Sequence, residues 1–292
     1  MTDGPSVVRP REGLLALAGL YLLAVLVYAV LGHREAVPLV APDEFIYGHL
    51  ARSLADGQGF TWRGDGVSLH AALYVYAITP AWLLASLTKA YSIAKLEGAM
   101  LIGLAVVPTW LIARPALGPR LALVPAALAV AGTWMTTTAG LLTENLAYPL
   151  SASALAAMVA VLGRPGSRWG WIALGLSLLA AWARLQCVAL LPILALALVV
   201  RAVAARPGAR ARLAPDRALL AVSAGLSLAG GILVLADPAI LGSYAGIGEF
   251  RPSISRLLSA IGHQSIGLVT MAGLLPIVVA VAAAEPGACM AR

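Results

Sequence analysis

Long apolar runs, separated by short gaps that contain arginine, constrain this chain more than any other feature of its sequence. The first run, from Leu14 to Leu31, contains no charged residue and approaches the roughly 20 residues that an α-helix needs to cross a bilayer. Of the 292 residues, 61% are hydrophobic and only 11% are charged. The sequence therefore predicts an all-α polytopic membrane protein, with residues 1–292 forming a single transmembrane domain.

The apolar runs predict eight membrane-spanning helices and two helices at the membrane surface. The spanning helices are predicted at about 14–31, 96–113, 121–138, 146–162, 169–183, 187–200, 218–236 and 265–284. The surface helices are predicted at about 42–56 and 71–88, in the first outer loop. The run 71–88 is long enough to span. A surface or re-entrant position fits better, however, because it leaves every later arginine-rich gap in the cytoplasm.

The formal net charge of +7 comes mainly from arginines in those gaps. The strongest group comprises Arg201, Arg206, Arg210, Arg212 and Arg217. This distribution is the positive-inside signal of a membrane topology and does not indicate a nucleic-acid partner. It predicts a multi-pass protein of the cytoplasmic membrane whose N-terminus lies inside, in contact with membrane lipids that include anionic ones.

Acidic and basic side chains converge on the outer face in this topology. Asp43 and Glu44 follow the first span, Glu144 lies in the second outer loop, and Arg184 reaches the same face from another helix. Carboxylates at a membrane surface are costly unless something pairs or uses them. A simpler interpretation is that Pro42 opens a helix and the two carboxylates only complement its dipole.

Several segments resemble the GT-C glycosyltransferases when they are taken in order. They are Asp43-Glu44 with Tyr47, then Gly57-x-Gly59, then Leu73-Tyr74-x-Tyr76, and later Leu142-Thr143-Glu144-Asn145-Leu146-x-Tyr148-Pro149-Leu150. The pattern is similar to protein O-mannosyltransferases, the lipid A aminoarabinose transferase, and actinobacterial arabinosyl and mannosyl transferases. The resemblance extends to about Asp237. Family members are usually longer, which favours a short or truncated member.

The resemblance implies a fold and a reaction. The fold is a GT-C type transmembrane module with juxtamembrane helices in the first outer loop. The reaction moves a sugar from a polyprenyl-phosphate donor to the hydroxyl of a glycan, lipid or protein acceptor, at the extracytoplasmic face. Asp43 would be the general base. Glu44 would orient the acceptor, and Glu144 would complete the acidic side of the site.

The remaining roles follow from the same resemblance. Arg184 is the first candidate to bind the donor phosphate, because guanidinium pairs well with phosphate oxygens. Arg52 and Lys89 are further candidates for the same role, together with Lys95. Glu44 and Glu144 would also hold a divalent cation, Mg²⁺ or Mn²⁺, if the reaction uses one. Candidate contacts to the sugar or the acceptor are Tyr47, His70 and Tyr74.

Alternatives remain open for several of these residues. Glu144 could cap the helix that begins near Asn145, and Arg184 could extend to the outer interface without binding a ligand. His70 could be an interface polar residue, and Tyr74 could belong to an aromatic belt. At the level of the whole protein, the alternative is a non-enzymatic protein that binds or flips polyprenyl phosphate, or an accessory subunit.

Overall fold

The structure is a computed structural model that describes residues 10–34, 42–67, 72–84, 86–131, 140–204 and 213–236. Its helices are α1 (Pro10–Arg34), α2 (Pro42–Ala55), α3 (Ala72–Leu84), α4 (Leu87–Gly103), α5 (Val106–Leu121), α6 (Leu123–Ala131), α7 (Glu144–Gly163), α8 (Trp169–Ala183), α9 (Leu190–Ala204) and α10 (Arg217–Ala236). Short 3₁₀ turns cover Leu185–Ala189 and Ala214–Asp216, and the strands are β1 (Thr61–Trp62) and β2 (Asp65–Gly66).

Five helical stretches in the described part of the chain are long and apolar enough to cross a membrane. They are Gly13–His33, Lys89–Leu121, Glu144–Gly163, Leu185–Val203 and Ala214–Ala236. Ala72–Leu84 and Trp169–Ala183 are shorter apolar helices. The prediction of a mostly helical chain with several helices able to span a membrane is therefore confirmed, and the hairpin of β1 and β2 is an addition to it. The predicted span 265–284 lies outside the described residues.

The helices run antiparallel, so the bundle has two distinct ends. Near one end, Lys95 in the middle of α4 donates a hydrogen bond of 3.1 Å to the Gly32 carbonyl at the end of α1. Towards the other end, Gly13 of α1 lies against Trp110 and Pro119. Between these ends α1 and α4 approach closely, because a Cβ on Gly103 would lie 3.1 Å from the Val25 side chain. The small glycine permits this close crossing in the core that α1 and α4–α6 share.

We call the two ends the carboxylate end and the arginine end. The carboxylate end contains the start of α2, α4 and α7 and the end of α8, with Asp43, Glu44 and Glu144. The arginine end contains the start of α1 and α10, the end of α9, and the reversals after α5 and α7. Its arginines are Arg114, Arg120, Arg164, Arg168, Arg201 and Arg217.

The first reversal at the arginine end lies in the gap 114–120 between two predicted spans. The chain reverses there at Gly118, whose φ is +76°, although α5 is helical further than predicted, up to that point. This left-handed backbone conformation costs glycine little, and Pro119 follows directly. The Trp110 indole donates a hydrogen bond of 3.0 Å to the Pro119 carbonyl, which secures the turn.

Helices α2 and α3 pack against each other at the carboxylate end. Tyr74, near the start of α3, makes an edge-on contact with Tyr47 at 5.9 Å, and Trp82, near its end, lies against Gly48. Both ends of α3 therefore contact α2. The 13 residues of α3 extend about 20 Å, which is short of the roughly 30 Å of a bilayer core. This places α3 beside α2, where the sequence predicts surface helices at about 42–56 and 71–88.

Candidate functional site

The first turn of α2 points its two carboxylates in different directions. Pro42 suits a first helical turn because its fixed φ is helical and its missing N–H would have had no partner there. Successive helical residues are rotated by about 100°, so Asp43 and Glu44 cannot share one environment. Asp43 is exposed, whereas Glu44 is buried, with only 4% of its surface exposed.

Glu44 connects three segments from inside the protein. Its Oε1 accepts a short hydrogen bond from the Tyr91 hydroxyl of α4 and a second one, 3.1 Å long, from the Leu141 backbone amide before α7. Gly140 lies directly over the carboxylate, since a Cβ there would be 2.9 Å from Oε1. Glu44 thus fixes the first turn of α2 against α4 and the entry to α7.

Asn145 stabilises the same turn from its other side. It is fully buried, and its Nδ2 donates a hydrogen bond of 2.9 Å to the Gly140 carbonyl. The same nitrogen lies 3.5 Å from the hydroxyl oxygen of Tyr74, another fully buried side chain. Tyr74 therefore packs inside the protein, where it supports the turn over Glu44, and is not part of an exposed aromatic belt.

Arg184 and Glu144 form an ion pair that joins the end of α8 to the start of α7. The Arg184 Nη1 lies 2.5 Å from Glu144 Oε1, and the two side chains are 28% and 20% exposed. Nη1 also donates to the Thr143 hydroxyl at 3.0 Å, and Nε donates to Gln186. Among the described residues, no acceptor takes a hydrogen bond from Nη2. The guanidinium is therefore fixed in orientation and still has donors to offer.

The other predicted phosphate ligands lie in different surroundings. Arg52 is exposed and pairs with Asp56 one helical turn later, at 3.7 Å. Lys89 is exposed on the first turn of α4. Lys95 is buried, and its Nζ lies 4.5 Å from the ring centre of Tyr91. Of these four cations, Arg184 has a contact with another predicted site residue, Glu144, among the described residues.

Two of the predicted sugar or acceptor contacts can be located. Tyr47 is partly buried and packs edge-on against Tyr74. His70 lies outside the described residues. On the exposed side of α2, the Trp62 ring of the hairpin contacts Phe45 at 5.7 Å and His49 at 4.9 Å. An aromatic surface of Phe45, His49 and Trp62 therefore forms on α2, although the sequence did not indicate its assembly.

The predicted metal role of Glu44 and Glu144 does not fit this arrangement. Each carboxylate already accepts contacts from protein donors. Within the described ranges, no three His, Cys, Asp or Glu side chains come together as a cation site would require. A divalent cation in the reaction stays a prediction.

One arginine of the predicted orientation signal has a structural role at the arginine end. Arg201 Nη2 lies 2.6 Å from Asp216 Oδ2, and the two side chains are 13% and 3% exposed. Arg201 also donates to the Val161 carbonyl at 3.0 Å, and Asp216 accepts from the Gly166 amide at 3.0 Å. This buried pair connects α7, α9 and the start of α10. Arg201 is thus committed to the protein interior, and not to a lipid headgroup.

The sequence assigned no role to the residues that orient the candidate site: Thr143, Gln186, Tyr91 and Asn145. Their signal was weak, because a neutral hydroxyl or amide in an apolar segment indicates no particular chemistry. Together they present one exposed carboxylate and one oriented guanidinium at the same end of a helical bundle. Comparison of the chain with protein-family models, with curated proteins and with solved structures gave no match.

Proposed function

We propose that this chain is a GT-C type membrane glycosyltransferase that transfers a sugar from a polyprenyl-phosphate donor to an acceptor hydroxyl, with Asp43 as the general base. The observation that carries the proposal is the contrast within the first turn of α2. Glu44 is buried and bonded, whereas Asp43 is exposed and accepts no hydrogen bond or ion pair from the described residues. A base must be accessible and firmly positioned, and Asp43 meets both requirements.

The proposed step begins with the acceptor hydroxyl. Its oxygen attacks the anomeric carbon of the donor, while the bond from that carbon to the phosphate oxygen breaks. Asp43 accepts the hydroxyl proton, and the lipid phosphate leaves with the electron pair. A positioned base of this kind contributes about 10² to 10⁴ in rate. Glu44 acts as a positioning residue in this scheme, because it holds the helical turn that carries Asp43.

Arg184 supports the leaving group in the same proposal. Negative charge grows on the phosphate as the bond breaks, so a fixed cation stabilises the transition state more than the ground state. Glu144 and Thr143 occupy Nη1, and Gln186 occupies Nε. Nη2 remains as the donor that a phosphate oxygen would meet. Glu144 then orients the cation and takes no part in proton transfer.

The distribution of charge supports an extracytoplasmic site. The described arginines of the short gaps gather at the arginine end, and the positive-inside tendency favours the cytoplasm for such an end. The carboxylate end would then face outwards. There a donor could keep its phosphate at the interface and its polyprenyl chain in the lipid.

The test is a transfer assay in liposomes with labelled polyprenyl-phosphate mannose and arabinose. We expect Asp43→Asn to lower turnover by about 10² to 10⁴ and to leave donor binding intact. Asp65→Asn is the matched control, because Asp65 is an exposed carboxylate on the hairpin and should not alter turnover. Equal turnover in wild type and Asp43→Asn would reject Asp43 as the base.

Donor binding in the same liposomes distinguishes the non-enzymatic alternative. A lipid-binding or accessory protein would bind polyprenyl phosphate with no turnover in any variant, and Arg184→Gln would weaken that binding. If wild type binds neither the donors nor polyprenyl phosphate, the glycosyltransferase proposal fails, and so does its lipid-binding alternative.

A further inference from the structure

A groove lies along the first turns of α10, at the arginine end and so at the opposite end from the proposed reaction site. It has a volume of about 270 Å³ and is lined by Leu213, Arg217, Leu220, Ala221 and Ala224. The small side chains of the two alanines leave space between bulkier neighbours. The guanidinium of Arg217 is the charged group of this lining, and the other four side chains are apolar.

Helix α10 presents this groove to its surroundings and not to the protein interior. It belongs to the stretch Ala214–Ala236, which is long and apolar enough to cross a membrane, and only 11% of the apolar window of that stretch is buried within the protein. The buried side chains of α10 are Leu219 and Ser223, on the opposite face from Ala221. In a bilayer, the groove would therefore be open to lipid acyl chains.

Arg217, which lines the groove, differs from the neighbouring pair of Arg201 and Asp216. Asp216 is turned inwards, where Arg201 and the Gly166 amide bind its two oxygens. Arg217 is exposed and forms no ion pair with a described residue, so its charge is available to a ligand. Its methylene stem lines the apolar groove, and a stem of this kind lets the charged head extend to the membrane surface.

Two further arginines lie close to the start of α10. The turn between α7 and α8 packs against Pro215, because a Cβ on Gly166 would lie 2.9 Å from the Pro215 side chain. Arg164 and Arg168 are each two positions from Gly166, and both are exposed. Neither forms an ion pair with a described residue. Exposed cations from two separate segments therefore border the end of the groove.

We propose that this groove binds one anionic phospholipid, with an acyl chain along Ala221 and Ala224 and the headgroup phosphate at Arg217. An apolar groove beside unpaired cations is complementary to an amphiphile that has both parts. Guanidinium groups make strong, charge-assisted hydrogen bonds to phosphate oxygens, and basic pockets at the ends of membrane helices bind anionic lipid headgroups. The site requires that α10 crosses the membrane, and it does not depend on the proposed transferase activity.

Native mass spectrometry of the full chain in detergent micelles tests the headgroup, since it counts the lipids that stay bound. We expect phosphatidylglycerol to bind at least fivefold more tightly than phosphatidylcholine. Arg217→Gln should weaken phosphatidylglycerol binding about fivefold, as expected for the loss of one basic residue at an anionic lipid. Arg114→Gln is the matched control, because Arg114 is an exposed arginine of the same end that lies over Trp110. Equal losses in the two variants would mean diffuse attraction and would overturn the site.

A second pair of variants tests the groove. Ala224→Leu fills the space and should weaken the binding of both lipids. Ala229→Leu is its control, because Ala229 is exposed on the same helix but lies outside the lining. If Ala224→Leu does not fold, Ala221→Leu serves instead. Equal lipid binding in the filled variant and its control would overturn the proposal.

Other occupants would give different results in the same spectra. Failure of wild type to bind phosphatidylglycerol would overturn the proposal. Displacement of the lipid by inorganic phosphate, and not by sodium chloride of equal ionic strength, would assign the site to a free anion. Protein dimers that the lipid dissociates only in detergent without phosphatidylglycerol's negative charge, as with phosphatidylcholine, would assign the groove to a second copy. Binding that is lost in Arg184→Gln but retained in Arg217→Gln would place the lipid at the carboxylate end. Each of these three results would also overturn the proposal.

Discussion

The two ends of the bundle each contain a carboxylate paired with an arginine, but the two pairs differ in burial. At the arginine end, the side chains of Arg201 and Asp216 are 13% and 3% exposed. At the carboxylate end, those of Arg184 and Glu144 are 28% and 20% exposed. The buried pair connects helices. The accessible pair leaves Arg184 Nη2 without an acceptor among the described residues.

This difference indicates which end is suited to bind a ligand. Both oxygens of Asp216 are used, one by Arg201 and the other by the Gly166 amide. An ion removed from water needs such complete bonding to be tolerated. The Arg184 pair is partly solvated, so it can exchange a water for a ligand oxygen at lower cost. An accessible cation and an exposed carboxylate at the same end of the bundle are what the proposed binding and proton transfer require.

The largest expected loss of stability comes from breaking the buried pair. Asp216→Asn leaves the Arg201 charge without its carboxylate, which should lower the free energy of unfolding by about 3–5 kcal/mol. The thermal unfolding midpoint in detergent measures this effect. Arg217→Gln, at an exposed position one residue away, is the matched control. Similar midpoints for the two variants would contradict the structural role of the Arg201 pair.

Removal of the Glu44 carboxylate should have the next largest effect. Glu44→Ala removes the acceptor of the Tyr91 hydroxyl and of the Leu141 amide. The loss of its acceptor by the buried Leu141 amide costs about 1–3 kcal/mol. Glu44→Gln retains an amide oxygen at Oε1 and should destabilise the protein less. Unfolding midpoints of the two variants measure the difference. An equal loss in both would show that Oε1 is not the important acceptor.

The accessible pair should contribute less to stability than the buried one. Glu144→Gln should lower the free energy of unfolding by about 1 kcal/mol or less, because solvent screens a partly exposed pair. The same unfolding assay, repeated at high salt, should give a smaller difference from wild type. A loss as large as that of Asp216→Asn would remove the distinction between the two ends.

The smallest expected effect is at Arg52. Its contact with Asp56 is 3.7 Å long, and the side chains are 54% and 55% exposed. Exposed pairs at this helical spacing contribute about 0.3–0.5 kcal/mol. Arg52→Ala should therefore leave the unfolding midpoint almost unchanged. A clear decrease in the midpoint would mean that Arg52 has a structural partner beyond Asp56.

The sequence alone determined the helical, multi-pass class and the approximate positions of most helices in the described residues. These features are local: an apolar run long enough to cross a bilayer satisfies its own backbone groups only as a helix. The sequence also predicted that Asp43, Glu44, Glu144 and Arg184 lie at one end, because successive helices run in opposite directions. The sequence did not predict elements whose local sequence pattern is weak. Examples are the short strands β1 and β2 and the extension of α5 to Gly118.

Tertiary structure alone decided which of these charged groups are accessible. Asp43 and Glu44 are adjacent and chemically alike, yet packing of α2 against Tyr91 and Leu141 buries only Glu44. The pairing of Arg184 with Glu144, 40 positions earlier in the sequence, depends on how α7 and α8 meet. Such choices depend on contacts between distant segments, because a side chain's burial and partners are set by the surface that packs against it.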